Sequence, residues 1–490
     1  MDRRGCYARV LVRQRMGGER SEETRDAVAE NAALRRRIVE LEKQVASLEK
    51  KVAESEKQVR ELIAKLGGRR ASHSKGKGYG PHRKPGRKAG QGPFTRRGEP
   101  ATSDVKRCVN APVMAPRCPR CGGAWRRRTE TASTTDAPEP RPVVTVFEVE
   151  VCECEDCGVV VRGEHPELPP AQRGATAHRI GTRAKAAAHA LHYGIGVPRQ
   201  QVPAVLKELT GVSITQSALT QDALKRAEQL QPAVAQLRKD VVSDTSVNTD
   251  DTGWRIGGTP AFMMNFNNRD TSVVQIRYQH RSNEVLEVIP ATYTGVVGTD
   301  RGVAYDARVF DTVKQQKCNG HIIRNVNEAM ERQDEANRWF GRDLVETLRR
   351  AMRLRRDHLA GVVDELGFAL AGCDLNEELS RLLRPRSLAD PDNQRLLDGL
   401  GWHQRRGNLL RYLEDPRIEP TNNSSERDLR GSVKARKVSH CSKNARGANA
   451  TAAHLSLILT IRRRLKGSSL VNALIDLFQT GLAPPRLVTS

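Results

Sequence analysis

The most regular hydrophobic pattern in the chain is a four-three repeat near its start. Apolar residues recur at alternating spacings of four and three along 34–66, and charged residues fill most other positions. A seam this narrow, in which branched Ile and Val alternate with Leu, favours a parallel two-stranded coiled coil. The pattern predicts a dimerising coiled coil over 25–66. The alternative is a single amphipathic helix that lies on another part of the protein.

A helical period returns between residues 171 and 241. It predicts one helix that ends near Leu209 and a second helix for which Thr215 or Ser217 can serve as the N-terminal cap, with Gly211 in the turn between them. Helix, glycine-containing turn and helix is the order of a helix-turn-helix motif. We predict a helical, helix-turn-helix-like DNA-binding domain over 171–241, although helical hairpins without DNA contacts have the same pattern.

The period changes to that of strands after residue 242. Strands are predicted at Ser246–Ile256, Pro260–Asn267 and Ser272–Tyr278, then a short helix at Asn283–Val288 and a buried strand at Gly295–Asp300. Three strands, a helix and a fourth strand is the opening order of a ribonuclease-H-like fold, in which the first and fourth strands lie side by side at the centre of the sheet. We therefore predict the first part of a ribonuclease-H-like catalytic core over 242–329.

The chain between residues 330 and 482 is again helical. The segment Trp339–Leu413 predicts an all-α insertion over 330–415, after which C-terminal helices over 416–482 complete the core. One stretch of the insertion is rich in arginine: Arg349, Arg350, Arg353, Arg355 and Arg356. These side chains either bind DNA or form a solvated helix face. The predicted fold class is a multidomain α/β protein whose core follows an N-terminal coiled coil, a zinc ribbon and a helical DNA-binding domain.

The charge of the chain narrows the choice of partner. It has 82 Lys and Arg against 58 Asp and Glu, a formal net charge of +24, and nucleic acid is the commonest partner for such an excess. The longest apolar run, Leu455–Ile461, is far shorter than the roughly 18 residues of a membrane span. The segment Met1–Arg15 lacks the apolar core of a signal peptide. We expect a cytoplasmic, nucleoid-associated bacterial protein without membrane contacts.

Part of the positive charge lies in a segment that cannot build a core. Residues 67–100 contain ten Lys or Arg, nine Gly and four Pro, and Lys84, Arg87 and Lys88 flank a Pro-Gly pair. This composition predicts a flexible basic arm over 67–106. The arm can neutralise DNA phosphates without reading sequence. The alternative is a solubilising linker.

Four of the ten cysteines form two Cys-x-x-Cys-Gly knuckles. They are Cys118, Cys121, Cys154 and Cys157. Two such knuckles can supply four thiolates to one tetrahedral structural Zn²⁺, which predicts a zinc-ribbon-like domain over 107–165. The alternating segment Val143–Val151 is expected to form a strand of its hairpin. Cys108 and Cys152 lie close enough in sequence to compete as ligands.

Carboxylates stand at the positions where a ribonuclease-H-like sheet would bring them together. Asp250 lies in the first predicted strand, Asp300 ends the fourth, and Glu426 is expected in the first turn of a helix that Asn422 or Ser424 could cap. Adjacent carboxylates repel each other unless a divalent cation neutralises them, and Mg²⁺ prefers oxygen ligands. Three carboxylates can hold two metal ions for in-line displacement at phosphorus.

Several motifs together resemble the insertion sequence 66 family of transposases, whose large subunit carries an Asp-Asp-Glu triad. The resemblance extends from about residue 30 to about residue 480, and its most specific part is the Asn-Asn-x-x-Glu-Arg block. The motifs are Asp250–Arg255, Gly295–Asp300 with Tyr305, Cys318-x-x-His321-x-x-Arg324, Asn422–Arg430, Arg436-Lys437 and Gly447-Ala448 with Thr460. The order of coiled coil, basic arm and Cys-x-x-Cys ribbon agrees with it.

The resemblance implies that Asp250, Asp300 and Glu426 are catalytic and hold two Mg²⁺ or Mn²⁺ ions. The family usually has Asp-Glu-Thr where this chain has Asp-Asp-Thr, so Asp251 is a rival to Asp250. Cys318 lies one helical turn before His321, and a structural or DNA-facing role is favoured over a metal pair. Eight basic residues are expected to contact DNA: Lys84, Arg87, Lys88, His321, Arg324, Arg427, Arg430 and Lys437.

The resemblance also implies a function. It implies a DNA transposase that binds the double-stranded ends of a mobile element, cuts a strand and joins the freed 3′-hydroxyl to target DNA. The coiled coil is expected to pair two or more subunits, and accessory proteins encoded by the element are possible partners. The alternative is a catalytically inactive DNA-binding regulator derived from a transposase. A nuclease of another ribonuclease-H branch is a weaker reading, because it would not need the coiled coil and the ribbon.

Overall fold

A computed structural model describes residues 101–486, apart from 106, 125, 127–131, 136–138, 166, 169–179 and 440, together with isolated positions between 37 and 47. The chain divides into two units, Met1–Gly98 and Glu99–Ser490, and every strand and helix bounded below belongs to the second. Most of the predicted coiled coil and of the basic arm, including Lys84, Arg87 and Lys88, lies outside the described residues.

A two-stranded antiparallel sheet surrounds the second cysteine knuckle. Strands β1 (Val151–Glu153) and β2 (Val160–Arg162) pair across the turn at Cys154–Gly158. The prediction of a strand over 143–151 is wrong except at its last residue. The knuckle reverses the chain, so the residues directly before and after the knuckle pair with each other, and the alternating residues before Val151 are not part of this hairpin.

Four α-helices of the described part of the chain precede the main sheet. Their bounds are α1 (Thr182–His189), α2 (Val202–Thr210), α3 (Gln216–Gln229) and α4 (Gln231–Val241), with a π-helical turn at Ala190–Ile195. Gly211 ends α2 in the left-handed region at φ 72°, and the Thr215 hydroxyl accepts a hydrogen bond from the Ala218 amide at the start of α3. The helix, glycine turn and helix are present as predicted.

The main sheet has five strands. They are β3 (Ser246–Ile256), β4 (Thr259–Asn267), β5 (Ser272–Arg277), β6 (Val296–Thr299) and β7 (Lys314–Lys317), with α5 (Ser282–Leu286) between β5 and β6. Their order is β5-β4-β3-β6-β7; the first three are antiparallel, and β6 and β7 run parallel to β3. The four predicted strands and the short helix are all present. The predictions missed β7, which contains only Lys and Gln.

Seven α-helices follow β7 in the described part of the chain, and one of them carries Glu426. The bounds are α6 (Asn319–Arg332), α7 (Trp339–Leu359), α8 (Glu365–Leu382), α9 (Pro391–Arg405), α10 (Asn423–Ser439), α11 (Ala445–Arg464) and α12 (Leu470–Thr480). Helices α7 to α9 are the predicted helical insertion, and they share a hydrophobic core with α6. A second core joins the sheet to α4, α11 and α12. The fold is mixed α/β.

Helix α11 covers the free edge of β5 with two hydroxyl groups. Ser456 accepts a hydrogen bond from the Val274 amide and donates to the Val274 carbonyl, while Thr460 does the same for Ser272. An exposed strand edge is a template for pairing with another chain. Because these hydroxyls satisfy the outward backbone groups of Ser272 and Val274, this part of the β5 edge is closed to a further strand.

Candidate active site

The register between β3 and β6 aligns the two aspartates. Ser246 pairs with Val296, Val247 with Val297, and the ladder ends at Asn248 and Gly298. The same offset of fifty residues, continued by two positions, puts Asp250 level with Asp300. Asp250 therefore lies within β3, two residues past the last pair with β6 and opposite Asn265 of β4, while Asp300 directly follows the end of β6.

The missing side chain of Gly298 shows that both aspartates share one face of the sheet. A Cβ at Gly298 would overlap the side chain of Asn248, so the substituents of these two paired residues point to the same side. Side chains along a strand alternate between the two faces. Asp250, two residues after Asn248, and Asp300, two residues after Gly298, return to that face, whereas Asp251 points to the other.

Helix α10 lies over the same face. Arg436 donates a hydrogen bond to the hydroxyl of Thr252 at 2.7 Å, and Trp254 donates to the Ser442 hydroxyl at 3.1 Å directly beyond the helix. Thr252 and Trp254 lie two and four residues after Asp250, so their side chains are on the same face of β3. The helix is therefore held against the face that carries both aspartates.

The third carboxylate stands in the first turn of α10. The Glu426 amide donates to the Asn422 carbonyl at 3.1 Å, and the Asn422 amide group of the side chain donates to the Thr249 carbonyl at 3.3 Å. The Cys318 sulfur accepts a hydrogen bond from the Asn422 backbone amide at 3.4 Å. Asn422 thus connects the start of α10 to β3 and to the start of α6. These contacts fix the position of the helical turn that carries Glu426.

The carboxylates act on one another electrostatically. Burial, followed by the negative charges of Asp251, Glu426 and Asp300, raises the pKa of Asp250 to about 8. A divalent cation would relieve this repulsion, and the donor set of carboxylate oxygens fits Mg²⁺ or Mn²⁺. Within the described part of the chain, no three His, Cys, Asp or Glu side chains form a group that could hold an ion. The carboxylates therefore influence one another electrostatically, but in this structure they are not close enough together to coordinate one ion.

Two of the predicted DNA-contacting residues lie on α6, and one of them, His321, contacts Glu426. His321 Nε2 is 3.5 Å from Glu426 Oε1, and His321 Nδ1 is buried with no hydrogen-bond partner among the described residues. Arg324, one turn further along α6, is exposed. Cys318 is buried at the start of α6, and its contact with Asn422 is structural.

The three predicted DNA contacts on α10, together with Lys434, form an exposed basic stripe. Arg427, Arg430, Lys434 and Lys437 recur at spacings of three and four, which puts them on one side of the helix. All four are exposed, and none makes an ion pair with another described residue. The stripe begins at the residue after Glu426 and is free to contact an anionic partner.

A comparison with protein-family models decides the identity of the chain. The model described as "Transposase IS66 family" matches residues 178–450, more than half of the 490 residues. The chain belongs to the IS66 family of transposases. The match begins just before α1 and ends inside α11, so it contains all three carboxylates, the five-stranded sheet and the inserted helices.

Two solved structures are also similar to this IS66-family chain. They are the magnesium complexes of the HTLV-2 integrase catalytic core domain in its trimeric and dimeric forms. Each is 16% identical and matches 21% of this chain and 83% of that chain. The TM-score is 0.13, which is too low to support a conclusion about fold or function. A search of curated proteins found no match.

The two cysteine knuckles of the IS66-family chain have the same backbone geometry. In Cys118–Gly122 and in Cys154–Gly158, the final glycine has a positive φ and donates its amide to the carbonyl of the first cysteine. Backbone hydrogen bonds lower the pKa of that first cysteine in both knuckles. This favours the thiolates that zinc requires. No group able to hold a metal is formed within the described residues, so the four-thiolate site stays a prediction.

The arginine-rich stretch of the insertion is largely engaged within the protein. Arg350 pairs with Glu378, Arg353 with Glu346, and Arg355 donates to the Pro416 carbonyl. These contacts favour the solvated, ion-paired helix face over a DNA-binding patch. None of the described helices is long and apolar enough to cross a membrane.

Sequence reasoning missed two side chains that lie beside the carboxylates. His280 Nδ1 is 3.2 Å from Asp251 Oδ1, and Lys317 is fully buried with its ammonium group 2.9 Å from Asp306 Oδ1. Neither residue belongs to a recognisable motif. Lys317 lies in the unpredicted strand β7, and His280 lies in the connection after β5, where periodicity gives no signal.

Proposed function

We propose that this protein is a DNA transposase that binds the ends of its own mobile element and catalyses metal-dependent strand cleavage and strand transfer. The observation that carries the proposal is the arrangement of Asp250, Asp300 and Glu426 on one face of the sheet in a chain of this family. The order of three antiparallel strands, a helix and two parallel strands supports a ribonuclease-H-like core.

The three carboxylates are the residues that would hold the catalytic ions. Asp250, Asp300 and Glu426 supply oxygen donors at a site where the pKa of Asp250 is raised by its acidic neighbours. When bound, two Mg²⁺ or Mn²⁺ ions would activate the nucleophile and stabilise charge at the phosphorus during in-line displacement. His321 Nε2, at 3.5 Å from Glu426 Oε1, orients that carboxylate.

Basic residues around the carboxylates bind the DNA backbone in this account. The exposed stripe of Arg427, Arg430, Lys434 and Lys437 follows one side of α10 away from Glu426. Arg and Lys neutralise phosphates without reading sequence, and Arg binds them in bidentate fashion. Arg324 on α6 extends this surface, and the basic arm with Lys84, Arg87 and Lys88 adds further phosphate contacts.

The proposed domains around the core serve assembly and DNA binding. The coiled coil over 25–66 pairs two subunits so that both element ends meet in one complex. The ribbon over 107–165 is stabilised by a structural Zn²⁺ on its four knuckle cysteines. The helices over 171–241 contribute to recognition of the element ends.

Strand cleavage and joining on labelled DNA that carries the element ends tests the proposal. We expect wild type to cut and join with Mg²⁺ or Mn²⁺, and Asp250→Asn, Asp300→Asn and Glu426→Gln to lose both activities while they retain DNA binding. Retained binding separates loss of chemistry from loss of folding. If all four proteins bind the ends equally and none cuts, even with the element's accessory proteins added, the catalytically inactive regulator is the better description.

A further inference from the structure

The face of β3 opposite the carboxylates carries a continuous chain of side-chain contacts. Asp251 Oδ1 is 3.2 Å from His280 Nδ1, and His280 Nε2 is 3.4 Å from the Tyr305 hydroxyl. The Tyr305 hydroxyl is in turn 2.8 Å from the hydroxyl of Thr249. The chain begins and ends on β3, at two residues on either side of Asp250.

The four groups are held rigidly. Thr249 and Tyr305 are buried, and the His280 side chain is only 11% exposed. The His280 ring packs edge-on against the Tyr305 ring, with centroids 5.6 Å apart. Gln315 on β7 donates to the Tyr305 carbonyl at 2.7 Å, which fixes the backbone of this tyrosine.

These contacts stand where the strand ladder stops. Pairing between β3 and β6 ends at Asn248 and Gly298, two residues before the aspartates on each strand. Tyr305 belongs to the turn that follows Asp300, and its partner Thr249 directly precedes Asp250. The contact between them therefore joins the two aspartate-bearing segments beyond the last backbone hydrogen bonds of the ladder.

We propose that Asp251, His280 and Tyr305 form a positioning relay that fixes Asp250 relative to Asp300, and that Asp251 is not itself a metal ligand. This inference rests on the proposed function of the carboxylate site. Asp251 points away from the shared face, and its carboxylate is already held by His280. Residues that orient metal ligands typically change metal affinity or activity by about 10–100-fold when removed.

The test compares single and double variants on the full-length protein. We expect Asp251→Asn, His280→Ala and Tyr305→Phe each to raise the Mn²⁺ concentration for half-maximal cleavage by about tenfold or more. Members of one contact chain should not be additive, so Asp251→Asn combined with His280→Ala should be no worse than either alone. Glu365→Gln is the matched control, because it removes the highly exposed partner of His358.

Two readouts do not depend on cleavage. Mn²⁺ affinity measured by electron paramagnetic resonance should fall in all three variants. The ¹⁵N shifts of His280 in metal-free protein should change in Asp251→Asn and in Tyr305→Phe, which keeps the tyrosine ring. If His280 and Tyr305 variants keep wild-type metal dependence while Asp251→Asn does not, or if the double variant is additive, the relay is refuted. An active Asp250→Asn variant would refute the catalytic proposal instead.

Discussion

At the residue scale, the Asn248 side chain occupies the space that a side chain at position 298 would need, which favours glycine there. A Cβ there would overlap Asn248, two residues before the first aspartate. We predict that Gly298→Ala destabilises the protein by about 1–3 kcal/mol, the usual cost of overpacking a filled interior. Gly431→Ala is the control, because Gly431 is exposed inside α10 with open space around it. That change should instead stabilise by about 0.5–1 kcal/mol, and urea denaturation measures both.

Three buried histidines contribute a pH dependence of known sign to the stability of the protein. Burial lowers the pKa of His189, His192 and His454, in the case of His192 to about 4. The unfolded chain takes up protons below about pH 6.5 while the folded chain does not, so stability falls as the pH drops from 6.5 towards 4. Each such group contributes a slope of about 1.4 kcal/mol per pH unit.

His192→Asn tests this origin of the slope. His192 Nδ1 donates to the Val197 carbonyl at 2.9 Å, and the amide of asparagine can donate in its place without titrating. We predict that urea denaturation between pH 7 and 4.5 gives a shallower slope of stability against pH for the variant. The difference in slope should correspond to about one proton. Equal slopes for the two proteins would contradict the assignment.

The sequence alone could not assign the roles of some residues. Adjacent Asp250 and Asp251 are chemically identical, and only the position of the Asn248 side chain over Gly298 shows which one shares a face with Asp300. His280 approaches Asp251 from a loop that has no periodicity. Such contacts depend on tertiary placement, which a one-dimensional pattern does not contain.

At the scale of elements, runs of apolar and β-branched residues between turn signals were enough to predict β3 to β6 but not β7. Strands β5 and β6 are buried at nearly every position, as such runs indicate. Strand β7 reads Lys-Gln-Gln-Lys, yet its last three residues are buried. Gln315 and Gln316 donate to the Tyr305 and Leu409 carbonyls, and Lys317 pairs with Asp306. A strand stabilised by satisfied polar groups gives no hydrophobic signal.

One acidic residue of α10, Asp428, faces the sheet and adds a further set of contacts between them. Asp428 Oδ2 accepts hydrogen bonds from Asn267, Ser272 and Arg463 at 2.7–3.0 Å. We predict that Asp428→Ala destabilises the protein by about 3–5 kcal/mol, because the Arg463 charge loses its partner in a partly buried place. The urea midpoint measures this effect.

A surface ion pair is the matched control for Asp428. Glu228 and Arg446 pair while both are well exposed, so Glu228→Ala should change stability by no more than about 1 kcal/mol. Asp428→Asn keeps an acceptor and should fall between these limits. If Asp428→Ala were as mild as Glu228→Ala, the contacts of Asp428 would not contribute to holding α10 on the sheet.

At the scale of the whole molecule, the net charge of +24 predicts strongly salt-dependent DNA binding. The exposed stripe on α10 should carry part of it. We predict that Arg430→Gln and Lys437→Gln each reduce the slope of log affinity against log salt by about 1. Arg395→Gln, on the inserted helices and paired with Asp392, should leave the slope unchanged. Fluorescence anisotropy on a labelled duplex measures the slopes, and equal slopes for all variants would remove α10 from the DNA-binding surface.

The proposed metal site brings together three segments that lie far apart in sequence. With added hydrogen peroxide and ascorbate, Fe²⁺ substituted for Mg²⁺ reduces the peroxide to hydroxyl radicals that cut the polypeptide where the ion is bound, and mass spectrometry locates the cuts. We predict cuts near Asp250, Asp300 and Glu426 that excess Mg²⁺ suppresses and that Asp250→Asn abolishes. Cuts at only one of these segments, or cuts that persist in the Asp250→Asn variant, would contradict a shared site.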